Sequence, residues 1–173
     1  NTKNYLSIIP DKNYFLGAKN GYLSVDYEKM ISTLKENTDF LTYIDIEKDL
    51  EISDYYETDT HWKQENLVDI AEKIGEEMGA DVNTEYDVKT LDVDFYGVYY
   101  GQSALPLPAE KIKYLTNENL LNCKVNYFDT GMPKAGEIYN MEKANGKDPY
   151  EMFLSGALSV ISIENPNATD DRE

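Results

Sequence analysis

Tyr5-Leu6-Ser7-Ile8-Ile9-Pro10 decides the reading of the fold, because a short, apolar, β-branched run closed by proline reads as a buried strand. After the turn-forming Lys19-Asn20-Gly21, Asp26 is placed to cap a helix. Its apolar residues Tyr27, Met30, Ile31 and Leu34 recur at the spacing of one helical face, which is expected to pack on the sheet. Phe40-Leu41-Thr42-Tyr43-Ile44 then reads as a second strand. A strand, a helix and another strand in succession point to an α/β fold with a parallel sheet.

Working outward, the chain from Ile46 to Trp62 breaks into a polar and aromatic loop. From about Gln64 to Met78 the residues Leu67, Ile70, Ala71, Ile74 and Met78 return to helical spacing, and Gly79 supplies the stop. The loop is thus expected to deliver its side chains to a helix N-terminus. Val88 to Phe95 alternates as a half-exposed strand, and Tyr96 to Pro108 reads as irregular chain. Lys111 to Leu115 and Lys124 to Phe128 alternate again and are expected to pair, with Asn140 to Lys147 a polar connection. Asp148-Pro149 opens a short helix through Phe153, and Leu158 to Ile163 is a last strand before the polar tail Glu164 to Glu173. One domain over residues 1–173 fits this length.

Acidic residues outnumber basic ones 33 to 16, a net charge of −17, so nucleic acid and anionic membrane surfaces are repelled and are not expected partners. The simplest meaning of the acidity is solubility; an acidic binding surface or a calcium-stabilised extracellular module is the other reading. A single cysteine, Cys123, excludes an intrachain disulfide and a cysteine metal cluster. No apolar run approaches the roughly 20 residues that span a bilayer, and Asn1 to Asn4 carry no signal-peptide pattern. The protein is then either cytosolic or shorn of its targeting segment.

Chemistry concentrates in Tyr55-Tyr56-Glu57-Thr58-Asp59-Thr60-His61-Trp62. His61 is the only histidine, and Asp59 lies two residues before it. A histidine base needs a carboxylate to fix its tautomer and to stabilise the imidazolium, and a spacing of two in extended chain puts both side chains on one side. A following helix dipole would oppose the imidazolium, and Asp59 would have to offset it. The residues alone also allow a packed, hydrogen-bonded loop histidine, or a metal site with oxygens from Asp54, Glu57, Asp59 and Glu65, although no zinc-type spacing is present and no metal or cofactor is expected. Among fifteen tyrosines, Tyr55, Tyr56, Tyr99 and Tyr100 are the candidates for stacking on a sugar ring, although a tyrosine more often buries its ring and leaves its hydroxyl in water. Trp62 reads first as a packing residue, and Gly97 either allows close backbone approach to an oxyanion or serves a turn.

The segment Tyr55 to Trp62 resembles the signature of the DHHW family, of Firmicutes type, in which tyrosines and a threonine precede Asp-x-His-Trp and a helix follows. Asp94-Phe95-Tyr96-Gly97 is similar to that family's Phe-x-Gly turn, Tyr150-Glu151-Met152-Phe153-Leu154-Ser155-Gly156 to its Tyr-x-x-Phe-Leu-x-Gly segment, and Glu164-Asn165-Pro166-Asn167-Ala168 to what comes next there. In order and spacing the resemblance runs over most of the chain. Thr60 replaces the first histidine of the family's name, which matches the Asp-Thr-His-Trp form of the related proteins of alginate O-acetylation.

The resemblance implies an SGNH-hydrolase-like three-layer α/β sandwich with a mainly parallel sheet, incomplete at the C-terminus. It implies Asp59 as orienter and His61 as base; Tyr55, Tyr56, Trp62, Tyr96 and Gly97 are the candidate substrate-binding residues. The expected nucleophile is a serine in an Asp-Ser-Phe motif that follows the final tail in the family. No Asp-Ser pair occurs here, and Ser103, Ser155, Ser159 and Ser162 stand in other contexts. The implied parent is an esterase or O-acetyltransferase of cell-envelope or secreted polysaccharide, membrane-anchored or exported, and this chain alone is expected to be inactive. A non-catalytic carbohydrate-binding or scaffold domain is the alternative. A missing strand would leave a sheet edge open to self-association.

Overall fold

The computed structural model describes residues 2–82, 84–128 and 131–168. The chain divides into two compact units, Asn1–Thr84 and Glu85–Glu173, each built around small sheets.

In the first unit β1 (Tyr5–Leu6) and β2 (Thr42–Tyr43) form a parallel pair, with Tyr5 opposite Thr42 and Leu6 opposite Tyr43. The pairing is extended by Thr42 N–H donating to Asn4 O (2.9 Å), Ile44 N–H to Leu6 O (2.8 Å) and the Ser7 hydroxyl to Ile44 O (2.8 Å). The strand expected through Pro10 is shorter because Pro10 breaks toward α1 (Lys12–Leu16), whose first turn is capped by the Asp11 carboxylate. Between the strands lies α2 (Tyr27–Asn37), started by Asp26 accepting from Lys29 N–H at 3.0 Å. Its helical spacing was legible, but none of its residues is buried; Met30, Ile31 and Leu34 are only half covered.

A 3-10 turn at Gln64–Asn66 leads into α3 (Val68–Met78), which ends where Gly79 adopts φ 75°, a left-handed conformation that costs residues with a Cβ about 1–2 kcal/mol. The core of this unit is Ile44, Ile46, Leu50 and Ile70, with Tyr5, Phe15, Trp62, Leu67 and Ile74 packed against it. Residues from the strand exit, the loop and α3 therefore meet in one apolar cluster, which fixes the loop between them.

The second unit is antiparallel throughout its described strand pairs. β3 (Asp87–Thr90) pairs with β4 (Lys113–Thr116), and an isolated bridge joins Phe95 to Glu110. Helix α4 (Val98–Ser103) occupies chain expected to be irregular; its cap, Gly97, has ordinary φ −75°, and it ends at Ala104 with φ 52°. After α5 (Glu118–Asn122), β5 (Lys124–Tyr127) is the centre of a three-stranded sheet between β6 (Lys134–Gly136) and β7 (Ile161–Glu164). The expected pairing of β4 with β5 does not form. β4 instead takes β3, and β5 takes β6 and β7, since alternation marks a strand but not its neighbour. α6 (Met141–Ala144) replaces the expected polar connection, started by Asn140 accepting from Glu142 and Lys143 N–H. The Asp148-Pro149 signal is correct, opening a 3-10 turn at Pro149–Met152.

The architecture is thus a mixed α/β one with small sheets, one parallel and the others antiparallel. A mainly parallel sheet does not appear among the described residues. β1 and β2 pair only with each other there, so each retains an open edge. The end of the polar tail, residues 169–173, lies outside the described residues.

Candidate functional site

The loop from Asp54 to Lys63 folds back on itself. Tyr56 N–H donates to His61 O (3.1 Å), Lys63 N–H donates to Asp54 O (2.6 Å), and Tyr55 and Trp62 form an isolated antiparallel bridge. Both ends of the turn are thereby tied, and Thr58, Asp59, Thr60 and His61 occupy its tip. Trp62 anchors the returning arm by packing against the Ile44, Ile46, Leu50 and Ile70 cluster. The sequence offered this residue as a substrate contact as well; its place is against the core.

At the tip, Asp59 is 5% exposed and its Oδ2 accepts two hydrogen bonds, from His61 N–H at 3.1 Å and from His61 Nδ1 at 2.5 Å. The backbone bond closes a small ring that sets the approach of the imidazole, and the side-chain bond fixes its tautomer. A carboxylate can only accept, so Nδ1 carries the proton and Nε2 is left as the proton-accepting nitrogen. The His61 side chain is 51% exposed while that of Asp59 is 8% exposed, so a sheltered carboxylate holds an accessible ring. The arrangement is what a general base requires: a fixed tautomer, a neighbouring charge to stabilise the imidazolium, and access.

The helix dipole that the sequence set against this imidazolium is farther off than expected. The 3-10 turn at Gln64–Asn66 intervenes, and α3 starts only at Val68. A dipole acts within about one turn, so it contributes little at His61.

Tyr55 and Tyr56 do not line the outer surface. They are 3% and 0% exposed, which makes them packing residues of the loop and not a platform on which a sugar could stack. The Tyr55 ring lies 5.7 Å from that of Phe15, and its hydroxyl donates to Pro10 O at 2.5 Å. Burial, then the charges of Asp54 and Asp11, push the Tyr55 hydroxyl up to about 12 from its ordinary 10.0. A raised folded value means that the neutral phenol stabilises the fold. That contribution is complete below pH 10.0 and is lost as pH rises through about 12. Tyr55→Phe is therefore expected to cost about 1 kcal/mol at neutral pH and to remove part of the alkaline loss of stability. Urea unfolding midpoints of both proteins, followed from neutral to alkaline pH, check this.

Two groups that sequence reasoning missed also hold the loop. The Lys12 ammonium, on the first turn of α1, donates to Tyr56 O and to Glu57 O, the latter at 3.2 Å. Pro10 O is the acceptor for Tyr55. No local signal marks either, because the contacts span 44 and 45 residues.

Tyr96 and Gly97 belong to the second unit. Tyr96 is 47% exposed and pairs with Tyr100, ring centroids 4.6 Å apart at 49°. Gly97 is buried and its carbonyl accepts from Tyr100 N–H at 3.0 Å. Two of the serines in other contexts are occupied structurally: Ser103 Oγ donates to Tyr100 O and accepts from Leu105 N–H, and Ser155 Oγ accepts from Asn140 Nδ2. Among the described residues no three His, Cys, Asp or Glu side chains come together as a metal-binding set. Asp54, one of the oxygens considered for that role, instead accepts from Glu51 N–H at 2.7 Å.

A solved structure of a DHHW family protein from Eubacterium siraeum superposes on 97% of this chain with a TM-score of 0.65. This chain has the fold of a DHHW family protein. Sequence identity over that match is 18%, so the likeness is one of backbone architecture. The chain spans 59% of the length of that DHHW protein. No family model matches the sequence, and no curated protein matches it either. The DHHW fold thus agrees with the resemblance carried by the segment from Tyr55 to Trp62, in which Asp59 and His61 form the pair just described.

Proposed function

We propose that Asp59 and His61 are the orienting acid and general base of a serine esterase or O-acetyltransferase of SGNH-like architecture. It would act on cell-envelope or secreted polysaccharide. The observation that supports this is the 2.5 Å contact from buried Asp59 to the Nδ1 of a half-exposed imidazole. The longer protein would supply the serine and complete a three-layer sandwich on the open edges of β1 and β2. His61 Nε2 takes the proton of the serine hydroxyl as its Oγ bonds to the acyl carbon. The same proton passes to the departing sugar oxygen as the ester bond breaks, leaving an acyl-serine. Water then releases the acyl group in an esterase, or a second sugar hydroxyl accepts it in a transferase.

A neutral polysaccharide is a partner that the net charge of −17 does not repel, whereas a polyuronate would be disfavoured. An exported or membrane-anchored parent follows from such a substrate; no helix among the described residues is long and apolar enough to cross a membrane. Self-association through the open strand edges belongs to the same reading and would appear as concentration-dependent sedimentation.

Hydrolysis of p-nitrophenyl acetate tests the proposal. Background rates are expected for this chain, and turnover that His61→Ala abolishes is expected for the longer protein. Turnover that survives His61→Ala would contradict the assignment. Exposed Tyr96, with half-buried Tyr100 beside it, favours one alternative, a carbohydrate-binding domain without chemistry. It predicts polysaccharide binding that Tyr96→Ala weakens and no turnover in the longer protein.

A further inference from the structure

Several of the contacts that hold the approach to the Asp59 and His61 pair come from one short segment. Pro10 O, Lys12 Nζ and the Phe15 ring, on or just before α1, contact Tyr55, Tyr56 and Glu57. These are three consecutive residues, and Asp59 follows two positions later. Two successive carbonyls, of Tyr56 and Glu57, converge on the single Lys12 ammonium. Successive carbonyls in extended chain point to opposite sides, so a shared donor fixes an unusual local bend. A charged donor bonds more strongly than a neutral one.

We propose that Lys12 is a positioning residue for His61. Its ammonium sets the bend at Tyr56 and Glu57, and that bend carries the Asp59 carboxylate to the imidazole. This inference rests on the reading of Asp59 and His61 as the working pair. A hydrogen bond of 2.5 Å is sensitive to displacements well under an ångström, so freedom two residues upstream is transmitted directly to it. Tyr55 holds the same segment with a neutral bond one residue earlier, its hydroxyl donating to Pro10 O and not to the carbonyls of Tyr56 and Glu57.

Because His61 is the only histidine, its Nδ1 proton gives one resonance in a nitrogen-labelled sample of the full chain. Lys12→Met keeps the stem and removes the donor. It is expected to speed exchange of that proton with water about tenfold, the equivalent of one net hydrogen bond, with the backbone signals of α3 unmoved. Lys12→Arg, which can present two donors to two carbonyls, restores slow exchange. Lys12→Gln, a neutral donor on a shorter stem, falls between and serves if the methionine variant does not fold. Wild-type exchange in Lys12→Met, or in Lys12→Gln, would overturn the proposal. The resonance absent from the wild type would instead count against the Asp59 and His61 pair itself, so the two failures are distinct.

Discussion

Tyr56→Ala is expected to destabilise the first unit by about 3–5 kcal/mol, the cost of deleting a fully buried ring of this size. Tyr56 is 0% exposed and lies at the start of the loop, with the Lys63 ammonium 5.9 Å from its ring centroid. A domain's whole stability is about 5–15 kcal/mol, so this one change removes a large share of it. The single tryptophan reports the event locally, because Trp62 packs on the core of the same unit. Urea unfolding followed by its fluorescence should show a midpoint far below that of the wild type. A shift worth less than about 1 kcal/mol would mean that the loop is not part of that unit's cooperative core.

Asp59→Ala has the larger chemical effect. In the longer protein, on the proposed mechanism, it lowers the acyl-transfer rate by about 10⁴-fold, because the imidazole loses both its fixed tautomer and the charge that stabilises its protonated form. The structural cost is smaller. Two donors, His61 N–H and Nδ1, lose their acceptor, at about 1–3 kcal/mol for a buried site. The low end applies, since the imidazole is half exposed and water can replace the carboxylate. Steady-state rates on an acyl ester together with an unfolding curve separate the two effects. A rate loss no greater than the stability loss explains would reduce Asp59 to a loop-packing residue.

The candidate pair was legible because its chemistry is local. Asp59 and His61 are two residues apart, and a turn tip puts such neighbours within reach of each other. The helices α2 and α3 were legible for a similar reason, since Asp26 and Gly79 act on the turns beside them. Partner choice among strands was not. Alternating residues marked both β4 and β5, yet β4 took β3, and β5 took β6 and β7. Short helices α4 and α6 were missed because four to six residues give too little periodicity to rise above polar or aromatic content. For Tyr55 and Tyr56 the sequence left both a packed ring and a sugar-stacking surface open, and burial decides for packing, with the Tyr55 ring against Phe15 of α1. Lys12 carried no signal at all, since a lysine near the start of a helix is ordinary until its distant carbonyls are known.

The tautomer of the one imidazole tests the central claim most directly. Nitrogen-15 shifts of His61 at neutral pH should show a protonated Nδ1 and an unprotonated Nε2, with a downfield Nδ1 proton that Asp59→Ala removes. A ring protonated at Nε2 instead, or one whose shifts ignore the loss of Asp59, would contradict a base held by that carboxylate.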